Sequence, residues 1–293
     1  MTQSEHAPAI SRGPTRAISH RLALAVLAFP FLGSPAHGQW IEPERQGWAS
    51  FAMYYLDTRE QFSPTGEVRS FLLDGHAQTA SSFLTVALGI LPGVDIWVQP
   101  SYHRLEFADL EGTRISWGFG DTRVYVRTAP LRLLGSDFPF AIRAGAKLPT
   151  DFESGTELIP LGDGQRDWEV LAEVGHSFWP RPFYLQGWAG YRWREAKEDG
   201  GDFGDERFFN VSLGGGGEPL GFKIQFEGWY GGVPSFGGLT GEGQQREMVR
   251  FYPSLLVTAG PGQVELGSRL PLSGQNLATG PEIVVGYFTR LSL

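Results

Sequence analysis

The stretch from Trp168 to Arg194, WEVLAEVGHSFWPRPFYLQGWAGYRWR, decides the fold. Apolar and polar side chains alternate along it in two runs, and Pro180 and Pro182, which cannot continue a β-ladder, separate the runs. Each run has about ten residues, the length that a tilted strand needs to cross a bilayer, whereas strands of soluble proteins average about five or six. Aromatic residues stand at the strand ends, where membrane interfaces favour them. The stretch therefore predicts a transmembrane β-hairpin.

The composition favours a barrel with a polar interior. The chain has 293 residues, of which 41% are hydrophobic, too few for a helical membrane protein. A barrel gives this value because only alternate residues meet lipid. Its 40 glycines and 13% aromatic residues favour strands, turns and interface girdles. The absence of cysteine excludes disulfides, thiol nucleophiles and cysteine metal sites.

The first 38 residues have the pattern of a secretory signal peptide. An apolar run from Leu22 to Leu32 follows a basic region, and Ala36-His37-Gly38 predicts cleavage before Gln39. The arginines of the basic region are Arg12, Arg16 and Arg21. Removal of the leader takes away three Arg and one Glu and changes the formal net charge from −8 to −10. An acidic, exported chain without a basic run argues against nucleic acid as a partner.

The alternation predicts about twelve strands. They lie near 47–56, 79–89, 95–107, 120–131, 140–148, 168–177, 183–194, 207–214, 222–230, 248–258, 263–272 and 282–293. The predicted connections are long after odd-numbered strands, as in a loop over 108–117, and short after even-numbered ones. Outer-membrane barrels show this pattern, with periplasmic termini. Pro100 predicts a bulge in the third strand.

We therefore predict, for residues 39–293, an all-β fold: a transmembrane, antiparallel up-and-down β-barrel of about twelve strands, with short periplasmic turns and long extracellular loops. The alternative is a secreted soluble β-sandwich, which explains the leader and the period of two. A sandwich does not explain the alternating loop lengths or the ten-residue strands.

The last strand alternates from Ile283 to the final residue. Outer-membrane barrels usually end in such a strand, commonly on an aromatic residue, whereas this chain ends on Leu293. The expected partners are outer-membrane lipid and lipopolysaccharide, the barrel-assembly machinery through this strand, and a small-molecule solute.

The charged face of each strand is predicted to line the lumen, because Arg or Lys facing the membrane midplane costs about 2–4 kcal/mol. The candidate selectivity residues are Arg123, Arg127, Arg143, Lys147, Glu169, Glu173, Arg192, Arg194, Lys223, Glu227, Arg250, Glu265, Arg269 and Arg290. Basic residues outnumber acidic ones in this set. Two interpretations are open: a salt-bridged network that fills a narrow barrel, or a cationic constriction that selects solutes.

Catalysis has little support. Ser101 and His103 share a strand face, but no motif supplies the third member of a hydrolase site. No catalytic residue, metal site or cofactor is predicted. The acidic loops are interpreted as solvated, with divalent-cation binding as the alternative.

Four short motifs resemble the MetA-pathway-of-phenol-degradation family. They are Gly118-Phe119-Gly120-Asp121, the stretch AGAKLPT over 144–150, Gly162-Asp163-Gly164-Gln165, and Asp167-Trp168. They are similar to a pattern written GxGD, G.KLPTG and G.GQ.D, although this chain has Asp151 where the family often has glycine. The resemblance implies an outer-membrane barrel that passes small, often hydrophobic or aromatic compounds. It singles out, for solute contact or for fixing strand ends and loops, Asp121, Lys147, Gln165 and Asp167.

The sequence thus favours an outer-membrane channel or transporter for small molecules. A closed structural or adhesion barrel with working loops is the alternative, and a hydrolase at the lumen edge is a third hypothesis.

Overall fold

The computed structural model describes residues 41–136, 138–150, 159–197 and 200–292. The predicted leader, residues 1–38, lies outside the described residues. The strands are β1 (Gln46–Thr58), β2 (Glu60–Phe62), β3 (Val68–Ser70), β4 (His76–Leu91), β5 (Val94–Gln99), β6 (Ser101–Asp109), β7 (Gly112–Phe119), β8 (Thr122–Thr128), β9 (Phe140–Leu148), β10 (Asp167–Ser177), β11 (Phe183–Arg194), β12 (Gly201–Asp202), β13 (Glu206–Gly216), β14 (Leu220–Gly231), β15 (Ser235–Phe236), β16 (Leu239–Thr240), β17 (Glu247–Ala259), β18 (Gly262–Gln275), β19 (Ala278–Thr279) and β20 (Glu282–Ser292). Two short helices accompany them, a 3₁₀ helix (Leu72–Asp74) and α1 (Pro130–Leu133). Within the described residues, no helix is long and apolar enough to cross a membrane.

The large sheet closes on itself, because β1 pairs antiparallel with both β20 and β4. Its fourteen segments in the described chain form twelve barrel strands, since β5 and β6 continue one strand and β7 and β8 another. Neighbours along the chain are neighbours in the barrel. The prediction of a twelve-strand, antiparallel, up-and-down barrel is confirmed.

Aliphatic side chains of the barrel strands mostly face outward, and most charged side chains face inward. Val126 and Val170, on neighbouring parts of the wall, are 50% and 41% exposed, whereas Lys147 and Glu169 are each 2% exposed. This is the reverse of a soluble β-protein, whose apolar face is buried. The alternative of a soluble sandwich is therefore wrong.

Pro100 does not produce the predicted bulge, and a bulge lies instead in the neighbouring barrel strand. β4 keeps one register with β5 and β6 across Pro100, so the proline interrupts the ladder without adding a residue. The register instead shifts by one between the β5–β8 and β6–β7 pairings, at Gly120-Asp121. Ser116 and Asp121 are separated by an odd number of positions and would face opposite sides of a regular strand. The extra residue lets both face inward.

The predicted loop over 108–117 is also wrong. β6 and β7 extend the hairpin to a tight turn at Leu110-Glu111, because Thr113, Ile115 and Trp117 continue the two-residue period. The connection after β8 is not a tight turn either, since it contains α1.

We call the end of the barrel that holds Gln46 and Ser292 the terminal end, and the opposite end the loop end. Two small sheets form within the loops, one from β2, β3 and β19 and the other from β12, β15 and β16. Residues 41–45 precede β1 and fold against the inner wall at the terminal end, where Glu44 bridges to Gly89.

Candidate functional site in the barrel lumen

A buried cluster around Lys147 fastens residues 159–166, the described part of the loop between β9 and β10, to the inner wall; we call these residues the docked loop. The Lys147 ammonium lies 2.7 Å from Oδ2 of Asp167 and 3.1 Å from Oδ2 of Asp121. It also pairs with Asp163, which belongs to the loop between β9 and β10. One ammonium therefore joins three carboxylates from a strand end, a bulge and a loop. Its burial makes each of these pairs depend on the others.

The motif glycine and glutamine fit the same cluster. A Cβ at Gly162 would lie 2.1 Å from Oδ1 of Asp121, so glycine is required for the close approach of the loop. The backbone N–H of Asp163 donates to Oδ2 of Asp121 at 3.2 Å. Gln165 donates to Oδ1 of Asp167 at 3.1 Å. Asp121, Lys147, Gln165 and Asp167 thus meet in one place.

Asp163 is held as an anion. Burial raises its pKa, but the charges of Lys147 and Arg194 outweigh that effect, and the pKa lies well below its ordinary value. Arg194 Nη2 lies 2.8 Å from its carboxylate. The loop is therefore docked by two cations from the barrel wall.

The cluster continues along β10, β11 and β13. Arg194 Nη1 donates to Oε1 of Glu206 at 2.8 Å, and Arg192 pairs with Glu206 and with Oε1 of Glu169. The hydroxyl of Tyr125 donates to Oε2 of Glu169 at 2.5 Å. These inward side chains come from adjacent strands at register positions that face one another.

A second group lies closer to the terminal end. Arg127 Nη2 lies 2.6 Å from Oδ2 of Asp95, and Arg143 Nε lies 2.8 Å from Oε1 of Glu173. The guanidinium carbon of Arg143 sits over the ring of Trp97, 4.4 Å from its centroid. Ring faces and carboxylates together stabilise these buried cations.

The opposite wall carries matching pairs. Lys223 Nζ lies 2.7 Å from Glu265, Arg269 Nε lies 3.0 Å from Glu227, and Arg250 Nη1 lies 3.3 Å from Glu282. Basic and acidic residues therefore alternate around this wall as well.

The segment before β1 forms a floor at the terminal end. Arg290 Nη1 donates to both carboxylate oxygens of Glu42 at 2.9 Å. The backbone N–H of Glu42 donates to Oδ2 of Asp95 at 2.9 Å. Ile41 is buried against Ala129 and Ala141. The segment thus reaches from β20 to β9 across the inside of the barrel.

The expected excess of basic residues in the lumen is not present among the described residues. Acidic partners outside the predicted set balance the cations. Several of these partners lie in a loop, at strand ends or before the first strand, where the two-residue alternation does not mark them. These partners are Glu42, Asp95, Asp163, Glu206 and Glu282. The two-residue alternation along the strands indicates that Glu206 and Glu282 face inward, whereas Asp163 and Glu42 belong to no periodic pattern.

Within the described residues, three cavities lie between the paired charges. Two have volumes of about 730 Å³ and 610 Å³ and share several lining residues, among them Trp48, Trp97 and Tyr184, so they adjoin. The third, about 380 Å³, lies toward the loop end, where Asp163 and Arg246 line it. Glu42 lines the largest of these three cavities, at the other end. Space within the lumen therefore extends from the docked loop to the floor.

Ser101 and His103 are not arranged as a nucleophile and base. The buried Ser101 hydroxyl donates to the carbonyl of Asp121 at 2.9 Å. His103 Nε2 lies 3.0 Å from the same hydroxyl and therefore donates to it, while Nδ1, 2.8 Å from Ser81, accepts. A histidine that donates to serine cannot take its proton.

No protein-family model and no curated protein match the chain. Its fold is similar to the crystal structure of an outer membrane channel from Pseudomonas putida F1, with a TM-score of 0.70, 11% identity, and coverage of 86% of this chain and 97% of that one. The chain has the fold of an outer-membrane β-barrel. A monoaromatic hydrocarbon channel is also similar, with a TM-score of 0.45, 8% identity, and coverage of 89% and 91%. The first likeness confirms the fold that the motif resemblance implied.

Proposed function

We propose that this protein is an outer-membrane channel for small molecules, including hydrophobic or aromatic ones. The observation that carries the proposal is the series of cavities along the lumen, which reach from Asp163 at the docked loop to Glu42 at the floor. A barrel that served only as a scaffold would gain stability by filling this space. The paired charges form a stable wall around cavities with room for a small solute.

The aromatic lining supports the solute class. The two larger cavities share five large aromatic side chains, which come from β1, β5, β11 and β20: Trp48, Trp97, Tyr184, Trp188 and Phe288. Aromatic faces offer large contact area to planar apolar groups. The outer membrane channel from Pseudomonas putida F1, which has a similar fold, agrees with a channel function.

The exposed outward face supports the location. Large apolar side chains such as Phe51, Val126 and Leu255 are exposed on the outside of the barrel, and only lipid would cover such a belt. Export would proceed through the leader of residues 1–38. Outer-membrane lipid, lipopolysaccharide and the assembly machinery would then be its partners.

A closed barrel with working loops is the second candidate function. The density of the charge network and the floor formed by Glu42 favour it, as do the two small sheets at the loop end. In this case the cavities would not connect the two ends of the barrel, and the loops would bind a partner.

Solute flux into proteoliposomes distinguishes the channel from the closed barrel. Liposomes that contain the folded barrel should swell rapidly in glycine and in phenylalanine and slowly in the trisaccharide raffinose. Protein-free liposomes and liposomes with heat-unfolded protein are the controls. Swelling no faster than in the controls for every solute would overturn the channel and favour the closed barrel.

A further inference from the structure

We propose that the lumen holds a binding site for aromatic carboxylates, in which Arg123 receives the carboxylate and Trp188, with its aromatic neighbours, contacts the ring. This inference rests on the proposed channel function, because it names the class of solute that the pathway recognises. It goes further by assigning the recognition to one cation among many.

The position of Arg123 is the first observation. Arg123 and Trp188 line all three of the lumen cavities described above. Arg123 extends inward from β8 and Trp188 from β11, so they face the shared space from two parts of the wall. A solute that passes from one cavity to the next therefore meets both side chains.

The free donors of Arg123 are the second observation. Its guanidinium makes no hydrogen bond within the described part of the chain, and its nearest carboxylate oxygen, on Glu169, is 3.7 Å away. Glu169 is already bonded to Arg192 and to Tyr125. The planar guanidinium is thus left with N–H donors that match the two oxygens of a carboxylate.

The other lumen cations have closer partners. Each of the following has a carboxylate oxygen within 3.3 Å: Arg127, Arg143, Lys147, Arg192, Arg194, Lys223, Arg250, Arg269 and Arg290. Arg246, 3.8 Å from Asp163, lies beside the ring of Phe203 at the loop end. Arg123 is therefore the weakly paired cation at the junction of the cavities.

The acidic residues around the largest cavity would not repel an anion strongly. Glu42, Glu169 and Glu173 line it, and each is bound by an arginine. A carboxylate at Arg123 would therefore approach neutralised pairs. A cationic solute would find no free carboxylate among these three residues.

The surrounding rings complete the recognition. Trp48 and Trp97 contact edge to face, with centroids 4.9 Å apart, and Trp188 packs against Phe208 at 5.8 Å. These contacts fix the rings that line the cavity before any solute enters. Gln99 and Gln186 line the same space and supply polar atoms for a ring substituent. A ring and a carboxylate on one small molecule satisfy both parts of the site, whereas acetate or benzyl alcohol satisfies only one.

Calorimetric titration of the folded barrel in detergent with benzoate tests the site. Benzoate should bind to a single site, and acetate and benzyl alcohol should each bind at least about tenfold more weakly, since each lacks one part of the recognition. Arg123→Gln should weaken benzoate binding by about tenfold to a hundredfold, the usual effect of losing a charged hydrogen-bond partner. Arg123→Lys should bind benzoate with intermediate affinity.

The matched control is Arg207→Gln, which removes an exposed arginine from the outward face of β13 and should leave benzoate binding unchanged. Heat-modifiable gel migration confirms that each variant is folded. Equal binding of benzoate by the wild type and Arg123→Gln, equal binding of acetate, or no binding of benzoate would each overturn the site. Binding in detergent does not depend on conduction. If the barrel binds benzoate but does not swell liposomes, the binding site stands and the channel function is overturned. If liposomes swell but benzoate does not bind, the channel function stands and the site is overturned.

Discussion

Arg123 Nε lies 3.7 Å from Oε1 of Glu169, while Arg192 Nε lies 2.8 Å from the same oxygen. Two arginines thus share one carboxylate unequally, and the hydroxyl of Tyr125 occupies its other oxygen. The network stabilises the wall through Arg192 and leaves the donors of Arg123 directed at the lumen. The positive and negative charges inside a barrel can in this way be balanced while one arginine stays available to bind a solute.

Lys147→Met should destabilise the barrel by about 3–5 kcal/mol, because it leaves Asp121, Asp163 and Asp167 buried without their shared cation. Urea unfolding in detergent, followed by tryptophan fluorescence, measures the change. Arg104→Ala removes a half-exposed pair with Glu106 and should cost only about 0–1 kcal/mol. Equal losses for the two variants would contradict the central place of Lys147.

The docked loop should be insensitive to mild acid. Because the pKa of Asp163 is lower in the folded protein than its ordinary value of 3.8, its ionised form stabilises docking at every pH above that value. This stabilisation is lost only as the pH falls through the depressed value. A protease that is active in mild acid should therefore cleave the docked loop at pH 4 as slowly as a neutral protease cleaves it at pH 7.

Asp163→Asn imitates the protonated side chain and should expose the loop to cleavage at both pH values. A loop that becomes protease-sensitive between pH 7 and pH 4 in the wild type would show that another group controls docking.

Gly162→Ala should undock the same loop without touching a charge. Its new Cβ would lie 2.1 Å from Oδ1 of Asp121, a clash whose relief costs about 1–3 kcal/mol. Limited proteolysis should cut the variant faster within the loop. Gly217→Ala is the control, since a Cβ there has no neighbour within 4 Å. If both variants resist cleavage equally, the close approach of Gly162 is not needed for docking.

Arg290→Ala should open the floor at the terminal end. Without Arg290, Glu42 loses both of its hydrogen bonds to the guanidinium, and residues 41–45 are held less firmly across the lumen. Single-channel conductance should rise, because the largest cavity then opens more widely at this end. Arg104→Ala, on the hairpin at the loop end, should conduct as the wild type does. A conductance unchanged by Arg290→Ala would mean that the segment does not limit the pathway.

The barrel itself could be predicted from the sequence because its two faces differ in chemistry at every second residue. Trp168 and Val170 alternate with Glu169 and Leu171, so one division into lipid-facing and lumen-facing residues fits the whole strand. The register shift at Gly120-Asp121 could not be predicted, since the extra residue reverses this alternation locally.

The lumen was less predictable because its contacts join elements far apart in sequence. Asp163 lies in a loop without periodicity, and Glu42 precedes the first strand, so neither shows its inward position. The motif resemblance supplied part of what periodicity could not. It singled out Lys147, Asp121 and Asp167, which meet in one buried cluster.

Single-channel recording of the refolded chain from Gln39 to Leu293 in planar bilayers tests the channel most directly. Heat-modifiable migration first establishes that the barrel is folded. The cavities between Asp163 and Glu42 predict discrete, stable current steps that benzoate occludes in the wild type and occludes far less in Arg123→Gln. A folded barrel that gives no steps under any applied voltage would contradict the account and leave the loops as the working surface.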